Sequence, residues 1–117
     1  MASANETLEA LLDAFNAHDL DAIMSLFTEE CVLDTPRGDR FVGQDEVRKG
    51  LQARFDGIPD IAYEDARHWT SGDRGVSEWT IRGTRDTGEP IEVRGCDLFE
   101  LSDGKISRKD SYWKILD

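Results

Sequence analysis

The sequence predicts an α+β domain in which helices pack on one face of a strongly curved antiparallel sheet. Three observations carry that expectation. Apolar residues recur at helical spacing in the first third of the chain. From Asp60 onward, apolar-containing runs alternate with a period of two. Sharp Gly-containing turns separate those runs, and helices followed by hairpin-connected strands define the α+β class. A chain of 117 residues is long enough for one core and too short for two, so residues 1–117 are expected to form a single domain.

Leu8, Leu11, Leu12 and Phe15 follow the i, i+3, i+4, i+7 pattern and predict an amphipathic helix over 5–18. His18 suits the C-terminal cap of that helix. Asp19 can cap a second, short helix carrying Ala22, Ile23, Leu26 and Phe27. Cys-Val-Leu-Asp-Thr reads as a short strand with Val32 and Asp34 on one face, and Pro36-Arg37-Gly38-Asp39 turns it into a second strand, Arg40-Phe41-Val42. A third helix opens at Gly43-Gln44-Asp45-Glu46, with acidic residues suited to its first turn. Val47, Leu51 and Phe55 make its apolar stripe, and Gly57-Ile58-Pro59 ends it.

Strands are expected over 61–70 and 76–85, turned at Ser71-Gly72-Asp73 and near Thr87-Gly88. Two long strands then meet at Ser102-Asp103-Gly104, where Asp-Gly is a strong hairpin signal. On the first of these, Val93, Gly95, Asp97, Phe99 and Leu101 share a face by alternation. Trp79, Ile81 and Gly83 are expected to point inward, although a register slip of one would turn Glu78, Thr80 and Arg82 inward instead.

Composition narrows the function. A net charge of −11 removes the electrostatic footprint for nucleic acid or an anionic membrane. No apolar run approaches the ~20 residues of a membrane span. The N-terminus has neither a basic region nor a long apolar core, so a cytoplasmic location is expected. Cys31 and Cys96 lack metal-type spacing and read as small buried hydrophobes. No phosphate-cradling glycine loop, metal-binding His/Cys set or Gly-x-Ser-x-Gly elbow occurs, so acid–base chemistry by carboxylates without a cofactor or metal is the expectation.

Four stretches, LLDAFNAHDLDAIMSLF, CVLDTPRG, FVGQDEVRKGL and RGCDLFELSDGKISRKDSYW, occur in an order that resembles the nuclear transport factor 2-like superfamily, in its SnoaL-like and ketosteroid-isomerase-like branch. The resemblance implies a cone-shaped fold with three N-terminal helices on the concave face of the sheet. It also implies a pocket between sheet and helices, and a homodimer through the outer sheet face. Asp34 matches the proton-shuttling aspartate of the steroid isomerases. Asp97 matches their second, protonated aspartate, and in SnoaL-like cyclases the same strand position carries the catalytic acid/base. Trp113 matches a pocket-lining aromatic. Phe15 stands where the isomerases carry their oxyanion tyrosine, and Phe27 and Leu51 replace the supporting tyrosines, so steroid isomerisation is not expected. An Asp-Arg-Asp set, as in limonene epoxide hydrolase, is disfavoured because alternation puts Arg94 on the face opposite Asp97.

The expected catalytic residues are therefore Asp97 and Asp34. Desolvation among Val93, Phe99 and a Trp favours a neutral Asp97 that donates to an enolate, whereas a pairing with Lys109 would keep it ionised and make it a base. Two carboxylates in one pocket could divide the acid and base roles. Phe15, Trp79, Phe99 and Trp113 would wall a site for a small apolar carbonyl compound, and His68 is a further candidate contact. Isomerisation or aldol-type cyclisation is the leading reading. The alternatives are a non-catalytic module binding a small ligand or a protein, and a water-activating hydrolase.

Overall fold

The computed structural model describes residues 2–115; Met1, Leu116 and Asp117, the ends of the expected domain, lie outside the described residues. Ser3 starts helix α1 (Ala4–Asn16) with a reciprocal cap, its hydroxyl accepting from Glu6 N while Glu6 accepts from Ser3 N. Leu8, Leu11 and Phe15 form the buried stripe. His18 closes the helix in the left-handed region at φ 54° and donates its N–H to the Phe15 carbonyl. Asp19 then accepts from Ala22 N and caps α2 (Leu20–Ser25).

The chain continues as β1 (Phe27–Asp34), β2 (Arg40–Val42), α3 (Gln44–Gly57), β3 (Ala62–Ser71), β4 (Arg74–Thr84), β5 (Pro90–Ser102) and β6 (Lys105–Lys114). The strands make one curved, unclosed sheet in the order β2-β1-β6-β5-β4-β3. The α+β class is as expected, with one refinement. β1 runs parallel to β6, so the sheet is mixed rather than wholly antiparallel. β1 also begins at Phe27, earlier than the expected Cys31, because a register shift between Phe27 and Val32 leaves Glu29 and Glu30 exposed while Phe27 pairs with Ile106.

All three helices lie on the inner face, where α1 covers β3 and β4 and α3 covers β1 and β2. Inner-facing Cys31, Ile81 and Ile106 are fully buried against Ile23 and Val47 of the helices. The predicted hairpin is present. Asp103 and Gly104 both take positive φ, the type I′ geometry that matches strand twist. Its tip is tied to α1 by Thr7 Oγ1 donating to the Gly104 carbonyl at 2.6 Å.

Alternation on β4, β5 and β6 is uninterrupted along the stretch that carries the site. Trp79 and Ile81, and Asp97 with Phe99 and Leu101, point inward, so the alternative register is not adopted. On β3 the phase changes. Asp65 has φ 54° and the register shifts between Glu64 and Arg67, so Tyr63 and His68, an odd and an even position, both turn inward while Trp69 turns out. The β3 edge at this point has no strand neighbour, and helix residues take that place. Asn16 Nδ2 donates to the Tyr63 carbonyl at 3.0 Å, Tyr63 N donates to Asn16 Oδ1 at 2.8 Å, and His18 Nε2 lies 2.7 Å from the Ile61 carbonyl.

Candidate functional site

The inner faces of β4, β5 and β6 place Trp79, Asp97, Lys109, Ser111 and Trp113 side by side, because Trp79 pairs with Gly95 and Asp97 pairs with Ser111. The indole of Trp79 has room to cross the sheet only because Gly95 carries no side chain; a Cβ there would meet the ring at 2.8 Å. Trp79 Nε1 therefore reaches Asp97 Oδ2 at 2.8 Å. The other oxygen, Oδ1, accepts from Lys109 Nζ at 3.0 Å and from Ser111 Oγ at 2.5 Å. Lys109 also donates to Ser111 Oγ at 2.9 Å, which closes a triangle of three polar groups.

Asp97 and Lys109 are 3% and 5% exposed, so this is an ion pair inside the core rather than a surface bridge. Removing two charges from water costs several kcal/mol per ion before their attraction offsets it, and all polar atoms here are satisfied. Indole and ammonium can only donate, and the serine hydroxyl, already accepting from Lys109, gives its own proton to Asp97. The carboxylate is thus equipped as an acceptor. The expected neutral, hydrogen-bond-donating Asp97 does not match these partners, and the Lys109-paired, ionised form does.

Two small cavities flank this cluster. One, about 20 Å³, is lined by Phe15, Tyr63, His68, Trp79, Asp97 and Phe99 together with Leu8, Leu11, Leu12 and Ser77. The other, about 30 Å³, lies between Lys109, Ser111, Tyr63 and Trp79 on one side and the half-buried Arg54, Trp113, Thr35 and Pro36 on the other. Each has room for about one water molecule. Tyr63 and Trp79 form the partition, edge to face at 5.3 Å, and Phe15 packs on Tyr63 at 5.2 Å.

Of the site residues read from sequence, Phe15, Trp79, Phe99, His68 and Asp97 line the first cavity and Trp113 the second. His68 Nδ1 lies 2.7 Å from Ser77 Oγ, and burial lowers its proton affinity, which suits a neutral imidazole near pH 7. Asp34 is not brought to the site. Cys31 and Leu33 take the inner face of β1, so Asp34 projects from the outer face and accepts from Arg40 (2.7 Å) and Arg108 (2.8 Å). The sheet itself separates Asp34 from Asp97, and a two-carboxylate pocket is ruled out. Arg94 is also on the outer face, beside Glu78.

Tyr63, Arg54 and Ser111 are the contributions sequence reasoning missed. Tyr63 supplies the only tyrosine hydroxyl to this inner face among the described residues, next to Phe15, where the isomerases carry theirs. Burial and the Asp97 charge push its proton affinity well up, so it stays a hydrogen-bond donor. Ile61 and Tyr63 do alternate with Asp60, the small Ala62 and Glu64, a pattern that marks an inward tyrosine. Lys109 Nζ lies 5.3 Å from the Phe15 ring centroid, so Phe15 offers the cation an aromatic face.

The sequence matches the SnoaL-like domain family over residues 8–109. No protein of curated function matches it. Its fold is similar to a candidate polyketide cyclase of Pseudomonas putida, with 23% identity, a TM-score of 0.91 and coverage of 98% of this chain and 94% of that one. A candidate polyketide cyclase of Xanthomonas campestris is 24% identical, with a TM-score of 0.89 over 95% of this chain and 90% of that one. A candidate isomerase of Bacillus subtilis is 22% identical, with a TM-score of 0.82 over 95% and 86%. At these identities the likeness establishes the fold.

Two outcomes follow from this geometry. Lys109→Met leaves the Asp97 charge buried without its counter-ion and should cost about 3–5 kcal/mol in urea unfolding. Adding Asp97→Asn should recover a substantial part of that loss, and strictly additive penalties would contradict the pairing. On the outer face, the Arg40 guanidinium foremost, and then Arg108, holds the Asp34 carboxyl below the usual carboxylate range against the opposing effect of burial. A depressed folded value means the stabilisation is present at neutral pH and disappears as pH falls through that value. Asp34→Asn should therefore cost roughly 1 kcal/mol at pH 7, a modest figure because its arginine partners are partly solvated, and progressively less below about pH 4. A penalty of equal size at both ends would reject the linkage.

Proposed function

The chain belongs to the family of SnoaL-like domains, and from that premise we propose that it is a cofactor-independent acid–base enzyme, an isomerase or aldol-type cyclase, acting on a small carbonyl compound at the inner face of its sheet. The observation that carries this reading is the Asp97 carboxylate, buried, fixed by three donors and lining one small cavity together with Tyr63. In this scheme Asp97 removes the proton from the carbon α to the carbonyl. Lys109 remains beside it as counter-ion and Ser111 and Trp79 hold its orientation, so little reorganisation accompanies the transfer. Tyr63 donates a hydrogen bond to the enolate oxygen. Return of the proton from Asp97 to a different carbon completes an isomerisation. Attack of the enolate carbon on a second carbonyl, with the proton passing to the new alkoxide, completes an aldol cyclisation.

Substrate entry requires the wall to open, since each cavity holds about one water. Arg54 and Trp113, half-buried at the rim of the second cavity, are the side chains placed to move. The cyclase and isomerase designations of the fold neighbours support the same reaction class. A suitable test is loss of deuterium from the α-carbon of a deuterated simple cyclic ketone, followed by NMR. Exchange above the buffer rate is expected, reduced at least about 100-fold in Asp97→Asn. Exchange equal to buffer, or unaffected by the substitution, would sink the enzyme reading.

One observation on the outer face concerns the assembly of the chain, which the enzyme and the binding-module readings share. The outer face carries a groove of about 480 Å³, lined by Trp69, Val76 and Leu98 between Arg74 and Arg108, far larger than either inner cavity. We assign this surface to a second copy of the chain, because Trp69 and Leu98 are 50% and 43% exposed on a face otherwise crossed by ion pairs. Sedimentation should report a dimer that Leu98→Lys converts to monomer. A wild-type monomer at tens of micromolar would reject the assignment.

A further inference from the structure

The chain has ten arginines in a strongly acidic sequence. Seven of them, Arg40, Arg48, Arg67, Arg74, Arg82, Arg94 and Arg108, form ion pairs with carboxylates. The three that form none among the described residues are Arg37, Arg54 and Arg85, and the charges of Arg37 and Arg85 both reach Arg54. Arg54 comes from the last turn of α3, and Arg37 from the turn after β1, directly after the cavity-lining Pro36. Arg85 opens the turn after β4, which Asp86 N pins to the end of α3 by donating to the Gly57 carbonyl at 2.9 Å. The Arg54 guanidinium stacks on Trp113 at 4.3 Å and lines the second cavity with Lys109 and Ser111. Burial first, and then the Arg37 and Arg85 charges, act against its positive charge, with Tyr63 acting the other way. A half-buried cation under the influence of two like charges, with no carboxylate among the described residues bonded to it, is a costly arrangement in a protein with so many acids to spare.

We propose that Arg54, assisted by Arg37 and Arg85, receives an anionic group of the ligand, so that the substrate is an acidic carbonyl compound bearing a carboxylate or a stable enolate. The proposal rests on the inner-face reading of the site and narrows its ligand from apolar to anionic at one end. Elsewhere the acidic surface repels such a molecule, and the arginine cluster is the local exception that draws it to the cavity rim. Guanidinium groups suit the task because their planar donor fork matches a carboxylate while the face stacks on an aromatic ring. The anion would sit at Trp113 and Arg54 on the second cavity, and the carbonyl end would reach Asp97 in the first cavity once the Tyr63–Trp79 partition between them parts.

The test compares 2-naphthoate with its uncharged isostere 2-naphthamide, followed by calorimetry and by quenching of tryptophan fluorescence at low salt. The naphthoate should bind at least about 10-fold more tightly, and added salt should erode the difference. Arg54→Gln should abolish most of the preference, Arg37→Gln should reduce it, and Arg54→Lys should retain part of it, which separates charge from packing. Equal affinities, no binding of either probe, or a preference that survives Arg54→Gln would overturn the proposal. Asp97→Asn should keep the preference. If α-carbon exchange is absent while the preference is present, the catalytic reading falls and the anion site stands.

Discussion

The buried pair of Asp97 and Lys109 is the constraint to which the rest of the interior conforms. Two charges in an apolar wall are tolerable only when each remaining lone pair and proton has a partner. Ser111 and Trp79 are those partners, and both arrive by strand pairing rather than by loop adjustment. Gly95 is bare because the indole must cross it to reach Asp97. Phe15 then lies beneath the ammonium, where a second acceptor would compete with Asp97. A single polar cluster thus sets the identity of four neighbouring inner positions.

The two faces of the sheet divide the charges between them. On the outer face, Asp34, Glu100 and Asp110 all converge on Arg108, and Glu64, Asp65 and Glu92 converge on Arg82. These pairs are partly solvated, contribute modestly each, and keep the strand edges and the groove around Leu98 polar at their borders. Of the arginines without a carboxylate partner among the described residues, Arg54 lines the second inner cavity and feels the charges of Arg37 and Arg85. The same residue type therefore serves as surface partner in one place and as an unsatisfied cation in another, and only the spatial arrangement distinguishes them.

The Asp65 bulge links fold to site. Without the extra residue, alternation along β3 would carry either Tyr63 or His68 inward, not both. With it, both line the first cavity with Asp97. The Asn16 clasp on the Tyr63 backbone holds this irregular edge at the end of α1, so the helix that supplies Phe15 also fixes the tyrosine that packs against it.

Much of this was legible in the sequence, because period-two and period-3.6 patterns are local. They marked the three helices, the six strands, the Asp-Gly hairpin, and the inward face bearing Trp79, Asp97 and Phe99. Local patterns also placed Asp34 and Val32 on one face of their strand, but a strand has two faces, and which one meets the helices is set by packing. Cys31 and Leu33 are the larger apolar pair there, so Asp34 went outward to Arg40 and Arg108. The bulge at Asp65 has no consistent one-residue signature, which is why the joint inward placement of Tyr63 and His68 awaited the sheet register. Pairing across strands likewise decided that Lys109, twelve residues from Asp97, would be its counter-ion. Residue type and spacing by themselves determined an α+β domain with an acid in its wall. Tertiary structure alone decided what that acid touches and that Arg37 and Arg85 act on Arg54, since those interactions join segments far apart along the chain.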